Sequence, residues 1–436
     1  MSIFVKNTVQ IEQLYTIFKL HPSIQTDTRK LQKGDIFFAL KGPNFNGNLF
    51  AEQALDRGAA YVIVDEPLKS NHNRIILMDN VLTTLQQLAK YHRDQLKIPV
   101  IAITGSNGKT TSKELIHAVL SSHFKTYTTQ GNLNNHIGLP LTVLGIKKDD
   151  AEMAVLEMGA NHQKEIQNYC AYALPTYGVI TNCGKAHLEG FGGIEGVKKG
   201  KGELYDYLRK TDGTAFVNAD LDYLMEMSSG LKNTILYGQH AGIVQGNVLL
   251  NEPYLQVKIT KGLAIEQINT QLVGDYNLPN ILCAAAIGKH FGVPDEKIKS
   301  AIEAYDPSNS RSQLISRGTN QIILDAYNAN PTSMKAAIEN FAAIKGDNKV
   351  LLLGGMMELG DESIAEHEAL IKLIDQYKWH SVVLVGGDFA KTSHSYLYFD
   401  NALQAKEWYT AQHFTHTHLL IKGSRSFKME TILTEE

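Results

Sequence analysis

The sequence has few of the features that mark disulfide-stabilised, membrane-spanning or nucleic-acid-binding proteins. Three of its 436 residues are cysteines and no two form a CxxC pair, which argues against a disulfide framework and a zinc site. The net charge of −3 implies no general attraction to nucleic acid or to an anionic membrane. No apolar run approaches the ~20 residues that span a bilayer. Polar residues rather than an apolar signal-peptide core follow Met1-Ser2-Ile3-Phe4. We therefore expect a cytoplasmic protein that binds neither membranes nor nucleic acid.

The composition is that of a globular protein, and the length of 436 residues suits about three domains. A short α/β pattern predicts a small first domain, residues 1–82. Alternating strands and helices predict a central domain with a mostly parallel sheet, residues 83–306. Beyond the polar segment 306–310, four strands separated by helices predict a Rossmann-like third domain, residues 307–436. This domain has no G-x-G-x-x-G turn, so we do not expect it to bind a dinucleotide. The predicted fold class is α/β.

The most informative motif is a strand, a glycine-rich turn and a helix in direct succession. The apolar run from Val100 to Ile103 predicts a buried strand, and helix-forming residues follow the turn. Such a turn presents backbone N–H groups to an anion, and a Lys-Thr pair adds a phosphate ligand and a Mg²⁺ ligand. Ile103 stands where the full G-x-x-x-x-G-K-[ST] pattern has its first glycine, so the loop is a shorter variant. Its residues are Gly105, Ser106, Asn107, Gly108, Lys109, Thr110 and Thr111.

Several polar residues near predicted strand ends are candidates for chemistry. Glu157 ends a strand beside the phosphate loop, where nucleotide enzymes hold Mg²⁺, although a strand-end glutamate can also be simply exposed. His187 follows the next strand and is a candidate ligand or orienting group, although Mg²⁺ prefers oxygen. The segment from Val197 to Leu204 is rich in lysine. Either it is a solvated basic face, or one lysine points at the phosphates, and the sequence alone does not choose among Lys198, Lys199 and Lys201.

Further candidates lie in loops. Asp325 ends a strand, where an open sheet makes ribose or nucleotide contacts. Arg311, just past the polar segment, is a cation that domain closure would bring to a phosphate. The turn from Lys422 to Ser426 either holds a carboxylate or is an ordinary loop. The amide-rich segment 131–140 either forms a turn or lines a ligand site. Its asparagines are Asn132, Asn134 and Asn135.

Together these motifs resemble those of the ATP-dependent Mur ligases of peptidoglycan synthesis. The resemblance extends over essentially the whole chain, and the order and number of its motifs make it specific. The matching segments are T-G-S-N-G-K-T-T, N-N-H-I-G-L-P, E-M-G, A-H-L-E-G-F-G, K-G-E, G-D-Y-N-L-P-N, D-A-Y-N-A-N-P and K-G-S-R-S. The resemblance implies a uridine-nucleotide domain, a P-loop ATPase-like central sheet and a Rossmann-like domain that closes over ATP.

The resemblance also implies a reaction and its substrates. The D-A-Y-N-A-N-P segment favours the member that joins D-alanyl-D-alanine to UDP-N-acetylmuramoyl-tripeptide through an acyl phosphate. We find no D-N-P-R motif, which is usual in the diaminopimelate-adding relative. The third residue of the peptide, diaminopimelate or lysine, is left open, and we expect a monomer. The alternatives are another amide ligase of this fold, such as a different Mur ligase or folylpolyglutamate synthetase, a P-loop kinase, and a nucleotide-regulated binding module.

By matched position, the resemblance assigns roles to individual residues. Lys109 and Thr110 bind the ATP phosphates and Mg²⁺, and Glu157 and His187 belong to the metal site. Lys201 corresponds to a lysine carried as a carbamate, which would give a further metal ligand. The residues expected near the nucleotide are Asn277, Asn280, Arg311 for the γ-phosphate and Asp325 for the ribose. The residues expected to contact the other substrates are Asp27, Thr28, Arg29, Asn134, Asn135, Asn328, Asn330, Lys422, Ser424 and Arg425.

Three positions depart from the family pattern. Tyr276 stands where His is usual, and Thr28 replaces the commoner Ser. Gly200 precedes Lys201 where Ala is usual. Because glycine weakens a helix interior, the last departure predicts a loosely held Lys201.

Overall fold

A computed structural model describes residues 3–69, 72–148, 150–307 and 310–434 of the chain. These residues form two compact units. The first unit consists of Met1–Ala102, Lys125–Gly159 and Glu165–Tyr177. The second consists of Ile103–Phe124, Ala160–Lys164 and Gly178–Glu436. The polar segment predicted at residues 306–310 includes residues 308 and 309, which lie outside the described residues.

Strands and helices alternate along most of the chain. The strands are β1 (Ile24–Gln25), β2 (Ile36–Phe38), β3 (Lys41–Gly42), β4 (Phe45–Asn46), β5 (Tyr61–Val64), β6 (Ile75–Leu77), β7 (Val100–Thr104), β8 (Thr126–Thr128), β9 (Met153–Glu157), β10 (Tyr177–Ile180), β11 (Thr214–Asn218), β12 (Asn233–Gly238), β13 (Val244–Asn251), β14 (Leu255–Lys261), β15 (Gln267–Asn269), β16 (Gln313–Arg317), β17 (Asn320–Asp325), β18 (Lys349–Gly354), β19 (Ser381–Val385), β20 (Leu397–Phe399) and β21 (His418–Lys422).

The helices between these strands vary from one turn to five. They are α1 (Ile3–Leu20), α2 (Ala51–Asp56), α3 (Val81–Asp94), α4 (Lys109–Ser121), α5 (Gly138–Leu144), α6 (Glu165–Ala173), α7 (Leu188–Phe191), α8 (Ile194–Lys210), α9 (Asp222–Met227), α10 (Leu278–His290), α11 (Asp295–Glu303), α12 (Pro331–Ala343), α13 (Ser363–Ile374) and α14 (Ala402–Gln412). Among the described residues, no helix is both long enough and apolar enough to cross a membrane.

The sheets are mostly parallel. A sheet of four parallel strands near the start of the chain has the order β1-β2-β5-β6. A nine-stranded sheet has the order β15-β14-β13-β12-β11-β10-β7-β9-β8, and its β13, β14 and β15 are antiparallel to one another in turn. The predicted α/β class is confirmed.

A six-stranded sheet near the end of the chain has the order β16-β17-β21-β18-β19-β20. All its pairs are parallel except that of the edge strand β16 with β17. Its inner strands are continuous apolar runs with buried side chains, as expected for strands covered on both faces. Asp325 at the end of β17 pairs in register with Lys422 at the end of β21. The loops that follow these strands therefore share one edge of the sheet.

Candidate active site

The loop between β7 and α4 has the shape expected of a phosphate cradle. Gly105 and Gly108 have positive φ angles of 146° and 77°. A Cβ atom at Gly105 would lie 1.9 Å from Oγ1 of Thr181, and one at Gly108 would lie 2.7 Å from Oδ1 of Asn280. Both positions therefore need glycine for backbone conformation and for space. Because α4 begins at Lys109, its first N–H groups, in the turn that includes Thr110 and Thr111, directly follow the loop.

Hydrogen bonds fix this loop, and Asn107 within it carries a buried donor suited to a ligand. The Lys109 ammonium donates to the carbonyls of Gly105 at 2.6 Å and Ser106 at 3.1 Å. The N–H of Asn107 donates to the side-chain oxygen of Asn182 at 3.0 Å. The side-chain nitrogen of Asn107 is buried and has no hydrogen-bond partner within the described part of the chain. Since such a buried donor costs free energy when unpaired, the loop suits an anion such as a phosphate.

Residues after β17 lie against the phosphate loop. The Asn330 side-chain oxygen caps α12 by accepting from the N–H of Ser333 at 2.9 Å. The Asn330 side-chain nitrogen donates to Oδ1 of Asn107 at 2.7 Å. Nearby, the N–H of Lys185 donates to the hydroxyl of Thr332 at 3.0 Å. The predicted substrate residue Asn330 thus joins the start of α12 to the loop.

His187 contacts a residue that the sequence did not single out. Its Nδ1 is hydrogen-bonded to the carboxylate of Glu358, which follows β18. This bond lowers the pKa of the Glu358 carboxyl below its usual value, against the opposing effect of burial. Lys185, in the same loop as His187, forms an ion pair with Glu366 of α13. One feature of the sequence could have identified Glu358. It follows a buried parallel strand, at the sheet edge that also carries Asp325.

The structure distinguishes the three lysines that the sequence left open. Lys198 forms an exposed ion pair with Glu195 at 2.7 Å, and Lys199 is exposed. Lys201 is only 1% exposed. A lysine is rarely buried without a specific reason, so Lys201 is the member of the group expected to have a function.

A phenyl ring packs between Gly200 and Lys201. The Lys201 ammonium donates to the carbonyl of Ala160 at 3.0 Å and lies 4.9 Å from the centroid of the Phe191 ring. A Cβ atom at Gly200 would lie 2.4 Å from Cε1 of that ring. The expectation that Gly200 leaves Lys201 loosely held is therefore wrong. α8 continues unbroken past Gly200, and the missing side chain makes room for the ring that covers Lys201.

The first unit carries Glu157 and the amide-rich segment. Glu157 is 2% exposed at the end of β9, and its Oε1 accepts from the side chain of Asn134 at 2.8 Å. The side-chain oxygen of Asn135 accepts from the N–H groups of Ile137 at 3.1 Å and Gly138 at 2.8 Å. Asn135 thus stabilises a turn, which is one of the two roles expected for segment 131–140. Asn134 instead binds Glu157, the predicted metal ligand.

Asn277 and Asn280 connect the start of α10 to α4. Asn280 donates to Oδ1 of Asn277 at 2.9 Å, and Asn277 donates to the carbonyl of Val273 at 2.8 Å. The hydroxyl of Ser112 donates to Oδ1 of Asn280 at 2.9 Å. Asn280 also lies beside Gly108. The structure therefore brings both predicted nucleotide residues to the back of the phosphate loop.

The ends of β17 and β21 bring together several predicted site residues. The buried Lys422 ammonium contacts the carboxylate of Asp325 and the carbonyl of Asn328 at 3.3 Å. The N–H of Ser312 also donates to Oδ1 of Asp325, at 3.1 Å. The hydroxyl of Ser424 donates to the carbonyl of Ala329 at 3.2 Å. Asp325 is thus held by a cation and a backbone donor at the sheet edge.

The two predicted anion-binding arginines lie near one aromatic ring. Cζ of Arg311 is 3.6 Å from the centroid of Tyr327, and Cζ of Arg425 is 5.8 Å from the same centroid. Arg425 also pairs with Glu430 at 2.9 Å. Tyr327 belongs to the D-A-Y-N-A-N-P segment, but the family resemblance assigned it no role.

Asp27, Thr28 and Arg29 form a local turn in the first unit. The Arg29 guanidinium donates to both carboxylate oxygens of Asp27, at 2.9 Å and 2.8 Å. Hydrogen bonds from the Arg29 side chain and backbone lower the pKa of Asp27 to about 2. The carbonyl of Thr28 accepts from Arg57 at 2.8 Å. The Arg29 side chain is 86% exposed, so it is accessible to an anionic ligand.

The donor set expected for Mg²⁺ is a hydroxyl, a carboxylate, an imidazole and a lysine. These are Thr110, Glu157, His187 and Lys201. No group of three or more His, Cys, Asp and Glu side chains that could hold a metal ion occurs within the ranges that the structure describes. Since Mg²⁺ prefers oxygen ligands, the Thr110 hydroxyl and the Glu157 carboxylate are suitable donors for this ion, and Lys201 would become one as a carbamate.

The three cysteines are buried and form no disulfide. Burial raises the pKa of both Cys183 and Cys283 to about 12. Because the thiolate is the reactive form, these two thiols are poor nucleophiles and fit no role in the chemistry.

Comparison with known proteins agrees with this geometry. Family models match the chain in three segments: "Mur ligase family, catalytic domain" at residues 22–98, "Mur ligase middle domain" at 103–288, and "Mur ligase, glutamate ligase domain" at 310–425. The UDP-N-acetylmuramoyl-tripeptide--D-alanyl-D-alanine ligase of Bacillus subtilis is 36% identical over 433 residues, covering 94% of this chain and 92% of the relative. The chain belongs to the Mur ligase family. The family predicted from the motifs is confirmed.

Solved Mur ligase structures resemble the chain along nearly its whole length. A crystal structure of MurF from Acinetobacter baumannii has a TM-score of 0.86 and 31% identity, covering 94% of this chain and 92% of that one. MurF ligase from Thermotoga maritima in complex with ADP has a TM-score of 0.86 and 26% identity, covering 95% of this chain and 96% of that one.

Proposed function

We propose that this Mur ligase is an ATP-dependent amide ligase that joins D-alanyl-D-alanine to UDP-N-acetylmuramoyl-tripeptide in peptidoglycan precursor synthesis. The observation that carries the proposal is the full-length similarity to relatives with that name, combined with the phosphate loop. The loop supports ATP as the second substrate, because Asn107 offers it a buried donor and Lys109 a cation.

The reaction needs an activated carboxylate, because a peptide carboxylate is a poor acyl donor. Its oxygen attacks the γ-phosphorus of ATP, the bond to the β–γ bridging oxygen breaks, and ADP and an acyl phosphate form. The amine of D-alanyl-D-alanine then attacks the acyl carbon. Inorganic phosphate leaves with the bonding electron pair, and the amine loses a proton. We assign charge neutralisation on the transferred phosphoryl group to Lys109 and Arg311.

We propose that Thr110, Glu157, His187 and a carbamate on Lys201 hold Mg²⁺. When bound, this ion neutralises phosphate charge. The carbamate forms when the neutral Lys201 amine attacks CO₂ and releases a proton, so a cation is replaced by a carboxylate. The burial of Lys201 supports this role, and so does the hydrogen bond from Asn134 that orients Glu157.

The acyl phosphate must be kept from water. In the second unit, three contacts hold residues between positions 330 and 366 against the loops that follow β7 and β10. They are Asn330 with Asn107, Lys185 with Glu366, and His187 with Glu358. We propose that these contacts keep residues of the predicted third domain, 307–436, over the phosphates during the reaction.

The test measures ADP release with UDP-N-acetylmuramoyl-tripeptide, with and without D-alanyl-D-alanine, and the mass of the product. We expect a new amide and release that depends on both substrates. Release with a different amine, and none with D-alanyl-D-alanine, would indicate another ligase of this fold. Release without an amide product would contradict the ligase function.

We also propose that the protein works in the cytoplasm as a monomer, with domains at 1–82, 83–306 and 307–436. Three cysteines without a disulfide fit a reducing compartment. Light scattering of the purified protein tests the monomer.

A further inference from the structure

We infer that Tyr327 is a positioning residue that holds the Arg311 guanidinium ready for an ATP phosphate, by stacking on one face of it. The inference rests on the proposed function, which gives Arg311 the γ-phosphate as its partner. Nothing in the motif comparison gives Tyr327 a role, and the structure places its ring directly under the cation.

The distance is that of direct contact. Cζ of Arg311 lies 3.6 Å from the centroid of the Tyr327 ring, well inside the ~6 Å limit for an attractive cation–π contact. Arg425 approaches the same ring from the loop after β21, at 5.8 Å. One half-buried ring thus lies near two guanidinium groups that reach it from distant parts of the sequence. Two cations near one ring make this region attractive to an anion.

The backbone on both sides of Arg311 is tied to the end of β17. The carbonyl of Ser310 accepts from the N–H of Tyr327 at 3.2 Å. The N–H of Ser312 donates to the Asp325 carboxylate at 3.1 Å. Ser310 and Ser312 have positive φ angles of 56° and 48°, which non-glycine residues adopt only when the surroundings hold them. These bonds keep the Arg311 side chain above the ring.

Tyr276, which departs from the family pattern, adds a further tie. Its hydroxyl and the hydroxyl of Ser312 are 3.0 Å apart. Burial and the nearby Asp325 charge raise the pKa of the Tyr276 phenol, so the group stays neutral and can donate. Tyr276 directly precedes Asn277 at the start of α10. The segment that carries Arg311 is therefore connected both to the end of β17 and to the helix behind the phosphate loop.

Stacking suits a cation that must later bind a phosphate. A guanidinium has its five N–H donors at the edge of a planar group. A contact through the face fixes the plane and leaves the edge to form paired hydrogen bonds with phosphate oxygens. A carboxylate partner would occupy that edge instead. Lysine has no planar face, so it cannot replace arginine here.

The test compares Tyr327→Leu, which removes the ring, with Tyr327→Phe, which keeps it. The dissociation constant of a non-hydrolysable ATP analogue is measured by calorimetry, and kcat and KM for ATP are measured in the ligase assay. We expect Y327L to weaken analogue binding by about 2- to 30-fold, the range of a cation–π contact. Y327F should restore most of this loss. Tyr398→Leu, which removes a half-buried tyrosine from β20 of the same sheet, is the matched control and should bind like the wild type.

A double-mutant cycle separates positioning from a direct contact of the ring with the nucleotide. If the ring acts through Arg311, Y327L should add less than about 2-fold in an Arg311→Ala background. An equal loss in both backgrounds, or a loss in Y327F as large as in Y327L, would overturn the inference.

A further variant tests the role of Tyr327 if Y327L does not fold, and analogue binding tests it if the ligase proposal fails. Arg311→Lys keeps the charge without the planar face, so it should lose about as much affinity as Y327L, and wild-type affinity would overturn the inference. Analogue binding needs no amide synthesis. A wild type that binds the analogue without making the amide would therefore refute the ligase function. The double-mutant cycle would still test whether Tyr327 acts through Arg311.

Discussion

Gly200→Ala should destabilise the protein, although alanine is the better helix former and is usual at this position in the family. In a helix interior the change alone stabilises by about 1 kcal/mol. Here the new Cβ would lie 2.4 Å from Cε1 and 2.9 Å from Cδ1 of Phe191. That ring is 2% exposed and cannot swing into solvent. Overpacking of this kind costs about 1–3 kcal/mol, so we expect a net loss of about 1 kcal/mol.

Gly202→Ala is the matched control, because it lies two residues along the same helix. Its Cβ would meet only the terminal methyl of Met227, at an ordinary 3.4 Å. We expect it to stabilise by about 1 kcal/mol. The assay is urea unfolding of the wild type and both variants, monitored by circular dichroism. The urea midpoint of the same unfolding transition is compared among the three proteins. A G200A variant as stable as G202A would refute the packing of Phe191 between Gly200 and Lys201.

Lys109, Lys201 and His367 each have a role that one substitution tests. Lys109→Met should abolish ADP release while the far-ultraviolet spectrum is unchanged, because the phosphates lose their cation. Lys201→Ala should lose ligase activity that added short carboxylates partly restore, since they would replace the carbamate. Acidification from pH 7.5 to 5.5 should lower the urea midpoint, and His367→Gln should reduce that dependence. Burial lowers the pKa of His367, whose Nε2 accepts from the N–H of Met356 at 3.1 Å. The unfolded state therefore binds more protons, and stability is lost as pH falls below about 6.5.

The three variants K109M, K201A and H367Q could each give a result that contradicts the role of the residue replaced. ADP release by K109M would remove Lys109 from the phosphate site. Failure of every short carboxylate to restore K201A would count against the carbamate. A wild type and an H367Q variant with the same pH dependence would show that His367 is not the group that titrates.

Local patterns predicted the elements that bear the phosphate loop and most parallel strands. The continuous apolar run before Gly105 predicted β7, and the four strands expected within residues 307–436 correspond to β17, β18, β19 and β21. Buried parallel strands are apolar throughout and are short enough to recognise. The antiparallel β13–β15 and the edge strand β16 were not predicted. Their residues are partly exposed and mixed in polarity, so no period stands out.

The candidate site was predictable in its residues and less so in its contacts. Position along the chain indicated Lys109, Asp325 and His187, because Asp325 ends a strand and the other two lie in segments that follow strands. The partnership of His187 with Glu358 joins residues 171 positions apart, and only the folded chain brings them together. The need for glycine at position 200 likewise depends on a ring that reaches it through the tertiary fold.

Product analysis with the purified protein, MgATP, UDP-N-acetylmuramoyl-tripeptide and D-alanyl-D-alanine shows directly whether this chain couples ATP cleavage to amide formation. We expect one product whose mass is the sum of the tripeptide and dipeptide substrates less one water, with one ADP and one phosphate formed for each new amide. Consumption of ATP without that product, or the product without consumption of ATP, would contradict that coupling.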